Sequence, residues 1–255
     1  MFSFCLFFQI GKSYPNLVES LLFSICLQPE KGVISRVKLR FFKDSTVMLF
    51  DLHVHSNISV CSELSLDEIL SQAQSRGLDG VCITDHNTMA AGQVISEGMQ
   101  TNGLCVLIGQ EYSTSQGDFL LFGPYEDLAP GLSATQILDH VQATGGAAIA
   151  AHPFRELRPV QEQIIQSGLC RIIEQENGRN TQKENSRTRD WLKRYSLTPV
   201  AGSDAHTLNE LGQCPVDFHL PVLNRKDLIR VLNSGQGISV LEASKKCSPA
   251  FACCA

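Results

Sequence analysis

The side chains best suited to chemistry in this 255-residue chain are histidines and the carboxylates beside them. Five of the seven histidines fall in four short polar motifs: Asp51-Leu52-His53-Val54-His55-Ser56, Thr84-Asp85-His86-Asn87, His152-Pro153-Phe154-Arg155 and Gly202-Ser203-Asp204-Ala205-His206. Gly109-Gln110-Glu111 adds a carboxylate, and Glu174-Gln175-Glu176-Asn177-Gly178-Arg179-Asn180 adds a polar run. A lone histidine is commonly structural. A buried set of unpaired imidazoles and carboxylates is costly, however. A divalent cation removes that cost by neutralising the carboxylates and using the imidazole lone pairs. Imidazole plus carboxylate, without thiolate, suits Zn, Mn or Fe rather than Ca or Mg alone.

Each motif lies at the end of an expected strand. Val47–His53, Gly80–Thr84, Leu104–Ile108, Phe119–Phe122, Ala147–Ala151, Cys170–Glu174 and Pro199–Ala201 read as apolar, strand-forming runs. Alternate residues on a strand share a face, so His53 and His55 can reach one ion. Helices fit between the strands. Ser65 and Ser133, each followed three residues later by Glu68 or Gln136, form capping boxes that start two of them. Further helices are expected over 88–99, 159–167 and 181–195 and after Asn224. Strands alternating with helices imply parallel β/α units, in an open sheet or a barrel. In a barrel, the carboxyl ends of the strands converge on one face.

Composition sets the outer limits. With 43% hydrophobic and 18% charged residues, the chain is neither mostly disordered nor collagen-like. A net charge of −5 argues against a long nucleic-acid groove, which needs many cations, but leaves open a small anionic substrate met by a local metal. Ten cysteines without a CxxC pair read as free thiols in a reducing, cytoplasmic setting. Residues 1–47 are atypical: their net charge is +3 and their apolar runs are too short for a membrane span. Met48 directly precedes Leu49-Phe50-Asp51-Leu52-His53, the motif-bearing part of the first strand. The expectation is a core domain over 48–243, an extension over 1–47 outside that core, and a frayed tail over 244–255. No P-loop, dinucleotide fingerprint or Gly-x-Ser-x-Gly elbow is present.

Taken in order, Asp-Leu-His-Val-His-Ser, Ile-Thr-Asp-His-Asn, Gly-Gln-Glu, Ala-His-Pro-Phe, Asn-Gly-Arg-Asn and Gly-Ser-Asp-Ala-His resemble the PHP (polymerase and histidinol phosphatase) family of metal-dependent phosphoesterases, over about residues 49–240. The resemblance implies a distorted seven-stranded (β/α)7 TIM-like barrel, with two or three divalent ions at the C-terminal ends of its strands. It places His53, His55, Glu111 and Asp204 on a first ion, with Glu111 bridging to a second that His152 also holds. His86 and His206 would serve a third. Asp85 would orient its neighbour or a water. Where family members carry further ligands, this chain has Cys61, either a thiolate ligand or an inert thiol, and Asp118, either a carboxylate ligand or a turn cap. Arg155 and Arg179 can bind phosphate or form surface ion pairs. Glu176 and Asn177 line the pocket or shape a turn. His206 is a proton donor if no metal holds it. The implied reaction is hydrolysis of a small phosphate ester, a nucleotide or an oligonucleotide end by a hydroxide bridging the ions. The alternatives are a metal-dependent amide or cyclic-amide hydrolase and a non-catalytic metal-binding regulatory barrel.

Overall fold

The computed structural model describes residues 5–9, 22–26 and 47–240. The expected tail over 244–255 and most of 1–47 lie outside these. The chain divides into two units, Met1–Ser45 and Thr46–Ala255. In the first, β1 (Cys5–Gln9) pairs antiparallel with β2 (Leu22–Cys26), Cys5 opposite Cys26.

In the second unit, side-chain caps start most of the helices. Ser65 accepts from the Glu68 amide and Glu68 returns the contact, starting α1 (Leu66–Gln72). Ser133 and Gln136 do the same for α2 (Ala134–Thr144). The short α3 (Glu162–Gln166) has no side-chain cap. Thr181 and Glu184 form a third capping box at α4 (Gln182–Arg194), and Asn224 caps α5 (Arg225–Ser234). Such caps contribute about 1 kcal/mol each. The helix expected over 88–99 does not form. That stretch is a short 3-10 turn at Ala90–Gln93 followed by a two-residue strand, β5 (Gly98–Met99). Gly92 and Gly98, the latter at φ +111°, oppose a continuous helix there.

The remaining strands form two mixed sheets. β3 (Met48–Val54), β4 (Gly80–Ile83), β6 (Cys105–Ile108), β12 (Val216–Phe218) and β13 (Ile238–Val240) join β5 in the order β13-β12-β3-β4-β6-β5. β7 (Gln110–Thr114), β8 (Gly117–Phe122), β9 (Ala147–Ala150), β10 (Ile172–Asn177) and β11 (Thr198–Gly202) form the other, in the order β11-β10-β9-β8-β7. This overturns the expected seven-stranded (β/α)7 TIM-like barrel: the described residues of the second unit form two mixed sheets and five α-helices, with no closed barrel. The reason is local. Residues 110–122 form an antiparallel hairpin that turns at Ser115-Gln116, just before Gly117 at φ +124°, so β8 runs against both β7 and β9. β12 likewise runs antiparallel to β3 and to β13. The sheets touch through two isolated bridges, Val54 with Ala205 and His86 with Glu111, rather than through a continuous ladder.

Alternation along the strands separates two apolar clusters. Phe50, Leu52, Leu107, Leu120, Phe122, Ile149 and Val200 come from both sheets and form an inner cluster, joined by Leu228, Val231 and Leu232 of α5. Val81, Ile83, Val106, Leu121, Ala150 and Ile173 face outward against Ile69, Ile137, Leu138, Ile164 and Trp191 of the other helices. Burial on both faces explains why the strands read as continuous apolar runs.

Two register shifts interrupt this alternation. Phe50 and Leu52 are inner residues but Val54 is outer, and the β3–β4 ladder shifts register between Asp51 and Val54. The β10–β11 ladder shifts between Glu174 and Glu176. Bulges of this kind re-aim side chains beside active sites.

Candidate metal centre

Behind the first shift, His53 and His55 turn inward together. Their Nε2 atoms lie 3.0 Å apart. Glu111 Oε2, from β7, is 3.4 Å from His53 Nε2 and 3.2 Å from His55 Nε2. Asp204 Oδ1, just past β11, is 3.6 and 3.3 Å from the same two atoms. A tetrahedral ion with ligand distances of 2.0–2.1 Å holds its ligands about 3.3–3.4 Å apart. The five edges that involve the two imidazoles, 3.0–3.6 Å, lie close to that figure.

One carboxylate orients this set, and the motif analysis did not assign it a role. Glu174 is buried on β10. It accepts from His53 Nδ1 at 2.8 Å, from the His152 backbone N–H at 2.7 Å and from Asn177 Nδ2 at 2.9 Å. With the proton on Nδ1, the His53 lone pair sits on Nε2 and faces the other ligands. Gly202 makes room for this pair: a Cβ there would lie 2.5 Å from the His53 Cβ and 2.6 Å from Glu174 Oε1. The only sequence signal was two glutamates two residues apart on a strand. The bulge separates them, and Glu176 instead accepts from Asn185 of α4.

Two further groups adjoin the first. Glu111, Asp118 and His152 bring one ligand atom each within 4.8 Å of one another, as do His55, His86 and His206. Glu111 Oε1 is 2.8 Å from His152 Nε2, and Glu111 Oε2 is 3.0 Å from His86 Nδ1. Among the described residues, four buried side-chain atoms make no hydrogen bond: His55 Nδ1, His152 Nδ1, Asp118 Oδ2 and His86 Nδ1, whose 3.0 Å approach to Glu111 Oε2 is an ion-pair distance without hydrogen-bond geometry. All four belong to this cluster, so the protein alone leaves its polar capacity unfilled, and the residues present fit divalent cations. The backbone is strained here too. Among the described residues three non-glycines have positive φ, and two of them are His152 at +30° and Asp204 at +55°. Such conformations persist where the surroundings over-determine them, and they concentrate at functional sites.

The other predicted residues take supporting places. Arg155 Nη2 donates to Asp204 Oδ2 at 2.7 Å and to Asn177 Oδ1 at 2.9 Å. Arg179 Nη1 lies 2.9 Å from His206 Nδ1 and is 43% exposed at the rim. Asp85 accepts from the Ser56 N–H, the Ser56 hydroxyl and the Ser59 hydroxyl, and so clamps the loop after β3. Ser59 Oγ in turn accepts the His86 N–H. Cys61 is exposed and joins no metal-binding group of the described residues.

The charges are strongly coupled. Burial alone would lower the His53 pKa, but Glu174, Asp204 and Glu111 reverse that and raise it well above 6.5. Burial would raise Glu111 and Asp204, yet His53 and the neighbouring imidazoles hold both below the usual carboxylate range. Burial, aided by repulsion from His55, brings His206 down to about 4.

The PHP-associated family profile matches residues 182–236. An uncharacterised protein of Methanocaldococcus jannaschii is 33% identical over 117 residues, covering 42% of this chain and 68% of that protein. A probable phosphatase of Caldicellulosiruptor bescii is 26% identical over 202 residues, covering 65% of this chain and 83% of its own. The chain belongs to the PHP family of metal-dependent phosphoesterases. Two solved structures share the fold of this PHP protein. A Bacteroides vulgatus two-domain protein containing a predicted PHP-like metal-dependent phosphoesterase superposes with a TM-score of 0.56 at 16% identity, over 82% of this chain and 69% of that one. A lesion-specific endonuclease of Pyrococcus furiosus superposes with a TM-score of 0.61 at 16% identity, over 76% and 57%.

Proposed function

We propose that this protein hydrolyses a small phosphate monoester, a nucleotide or the end of a short oligonucleotide, using two or three divalent ions (Mn, Fe or Zn). His53, His55, Glu111 and Asp204 would hold the first ion, Glu111, Asp118 and His152 the second, and His55, His86 and His206 a third. The carrying observation is that Glu111 Oε2 and Asp204 Oδ1 each lie 3.2–3.6 Å from the Nε2 atoms of His53 and His55, which are themselves 3.0 Å apart. Bound ions would supply Lewis acidity toward phosphate oxygens and would ionise a water near neutral pH.

The chain's own residues divide the remaining work. Arg155 is largely committed to Asp204, Asn177 and Asn180, so it positions a ligand. Arg179, more exposed, is the guanidinium better placed to meet a phosphate by charge-assisted hydrogen bonds. His206, depressed to about 4, is a neutral imidazole at neutral pH, which favours a ligand or proton-acceptor role over the proton-donor role. The net charge of −5 supports a small substrate or a strand end over a long nucleic-acid track. Buried free thiols at Cys82, Cys105 and Cys170 suit a reducing cytoplasm. Among the described residues, no helix is long and apolar enough to cross a membrane. Catalysis is assigned to residues 48–243, so protein lacking 1–47 should still turn over substrate.

The test is release of inorganic phosphate from phosphorylated metabolites, short oligonucleotides and a generic aryl phosphate with Mn²⁺ added. His53→Ala and Asp204→Asn should abolish turnover while the folded circular-dichroism signal persists. A His53→Ala protein with wild-type turnover refutes the site. Cleavage of cyclic amides without any phosphate release would favour the amide-hydrolase alternative.

A further inference from the structure

One arginine outside the predicted set touches the cluster where this chain carries an aspartate. Asp118 is buried at the start of β8, directly across the hairpin from Ser113. Arg158 Nη2 donates to Asp118 Oδ1 at 2.8 Å and to Ser113 Oγ at 2.8 Å. The other oxygen, Oδ2, is buried without a hydrogen-bond partner and lies 3.9 Å from His152 Nε2. One oxygen is thus pinned by a guanidinium while the other is presented toward Glu111 and His152. A short aspartate has rotational freedom that this contact restricts, because the same Nη2 is itself held by Ser113.

The bracket is built from the same turn that serves the first ligand set. The Arg158 N–H donates to the Arg155 carbonyl at 3.1 Å, so Arg155 and Arg158 sit on one turn after His152. Arg155 holds Asp204, and Arg158 holds Asp118. Arg158 also offsets charge. The second group carries two carboxylates and one imidazole, with Glu111 already shared with the first set.

We propose that Arg158 is a positioning residue for the second ion: it fixes Asp118 so that Oδ2 completes the site with Glu111 and His152. The proposal rests on the metal-centre reading above. Losing an outer partner of a ligand typically lowers metal affinity about 10- to 100-fold.

The test is a Mn²⁺ titration of the full chain, with free Mn²⁺ read by electron paramagnetic resonance and no substrate present. Wild type should bind at least two ions. Arg158→Ala should keep the first at wild-type affinity and bind the second about 10- to 100-fold more weakly. Asp118→Asn should show the same selective loss. Arg158→Lys should recover part of it, because an ammonium can reach Asp118 without bracketing Ser113 as well. An Arg158→Ala protein that binds the second ion as wild type does overturns the proposal, as does one in which both ions weaken equally. Wild type binding fewer than two ions would instead overturn the metal-centre reading, and this proposal with it.

Discussion

Replacing Glu174 by glutamine tests whether the His53 tautomer underlies metal binding. The substitution keeps the shape but removes the charge and turns one acceptor oxygen into an NH2 group. Glu174 now accepts from His53 Nδ1 on one side and from the His152 N–H and Asn177 Nδ2 on the other. A single amide oxygen cannot serve both sides. If it stays with His152 and Asn177, the NH2 opposes the Nδ1–H of His53. The imidazole must then carry its proton on Nε2, the atom that faces His55, Glu111 and Asp204, and a protonated Nε2 binds no cation. If the amide flips, the NH2 opposes two N–H donors instead. Either way a charge-assisted hydrogen bond of about 1.5–3 kcal/mol is lost. At 1.4 kcal/mol per tenfold, that is about a 10- to 150-fold weaker ion at the first site. Isothermal titration with Mn²⁺ measures it directly, and activity at limiting ion should fall in step and recover partly with excess Mn²⁺. A Glu174→Gln protein with wild-type Mn²⁺ affinity and wild-type activity at limiting ion would refute the reasoning.

Other expectations follow from the same geometry. Gly202→Ala inserts a Cβ 2.5 Å from the His53 Cβ, and overpacking of this kind costs about 1–3 kcal/mol. Differential scanning calorimetry should show the melting temperature falling about 2–4 °C per kcal/mol, with weaker Mn²⁺ binding alongside; unchanged values on both counts would contradict the close approach. In the metal-free protein the stabilising contributions of His53 and Glu111 should both be complete between about pH 4.5 and 6.5, while His206, held down at about 4, withdraws stability as pH falls below 6.5. His53, raised above its usual 6.5, stabilises fully below that value and stops doing so as pH climbs through its folded pKa. Glu111, depressed below its usual 4.5, stabilises above that value and is lost as pH falls through its folded pKa. Saturating Mn²⁺ should abolish the alkaline decline, because ligation uses neutral imidazole; a metal-free melting temperature that stays flat from pH 6 to 9 would count against the coupled charges.

The candidate metal site was legible in the residue string because it depends on residue type at strand ends. His53, His55, Glu111, His152 and Asp204 each sit in or just beyond an apolar run, and short-range pattern finds such places. Caps were legible for the same reason: Ser65 with Glu68 and Ser133 with Gln136 act within one turn. Strand direction was not local in this sense. The antiparallel β12 pairs with β3, more than 160 residues earlier, and the short hairpin at 110–122 carries no helix between its strands, so alternation of strands and helices suggested a barrel where two mixed sheets form.

The sequence by itself determined that this chain carries a histidine–carboxylate set suited to divalent metal, and which apolar runs would build its core. Only the tertiary structure decided how those side chains are aimed. A one-residue bulge reverses the phase of every side chain beyond it, and no periodicity marks where it falls. The bulge in β10 is what sends Glu174 to His53 and Glu176 to α4. Arg158 reaches Asp118 only because a turn brings together residues forty positions apart. Those contacts depend on through-space distance, which residue type and spacing do not encode.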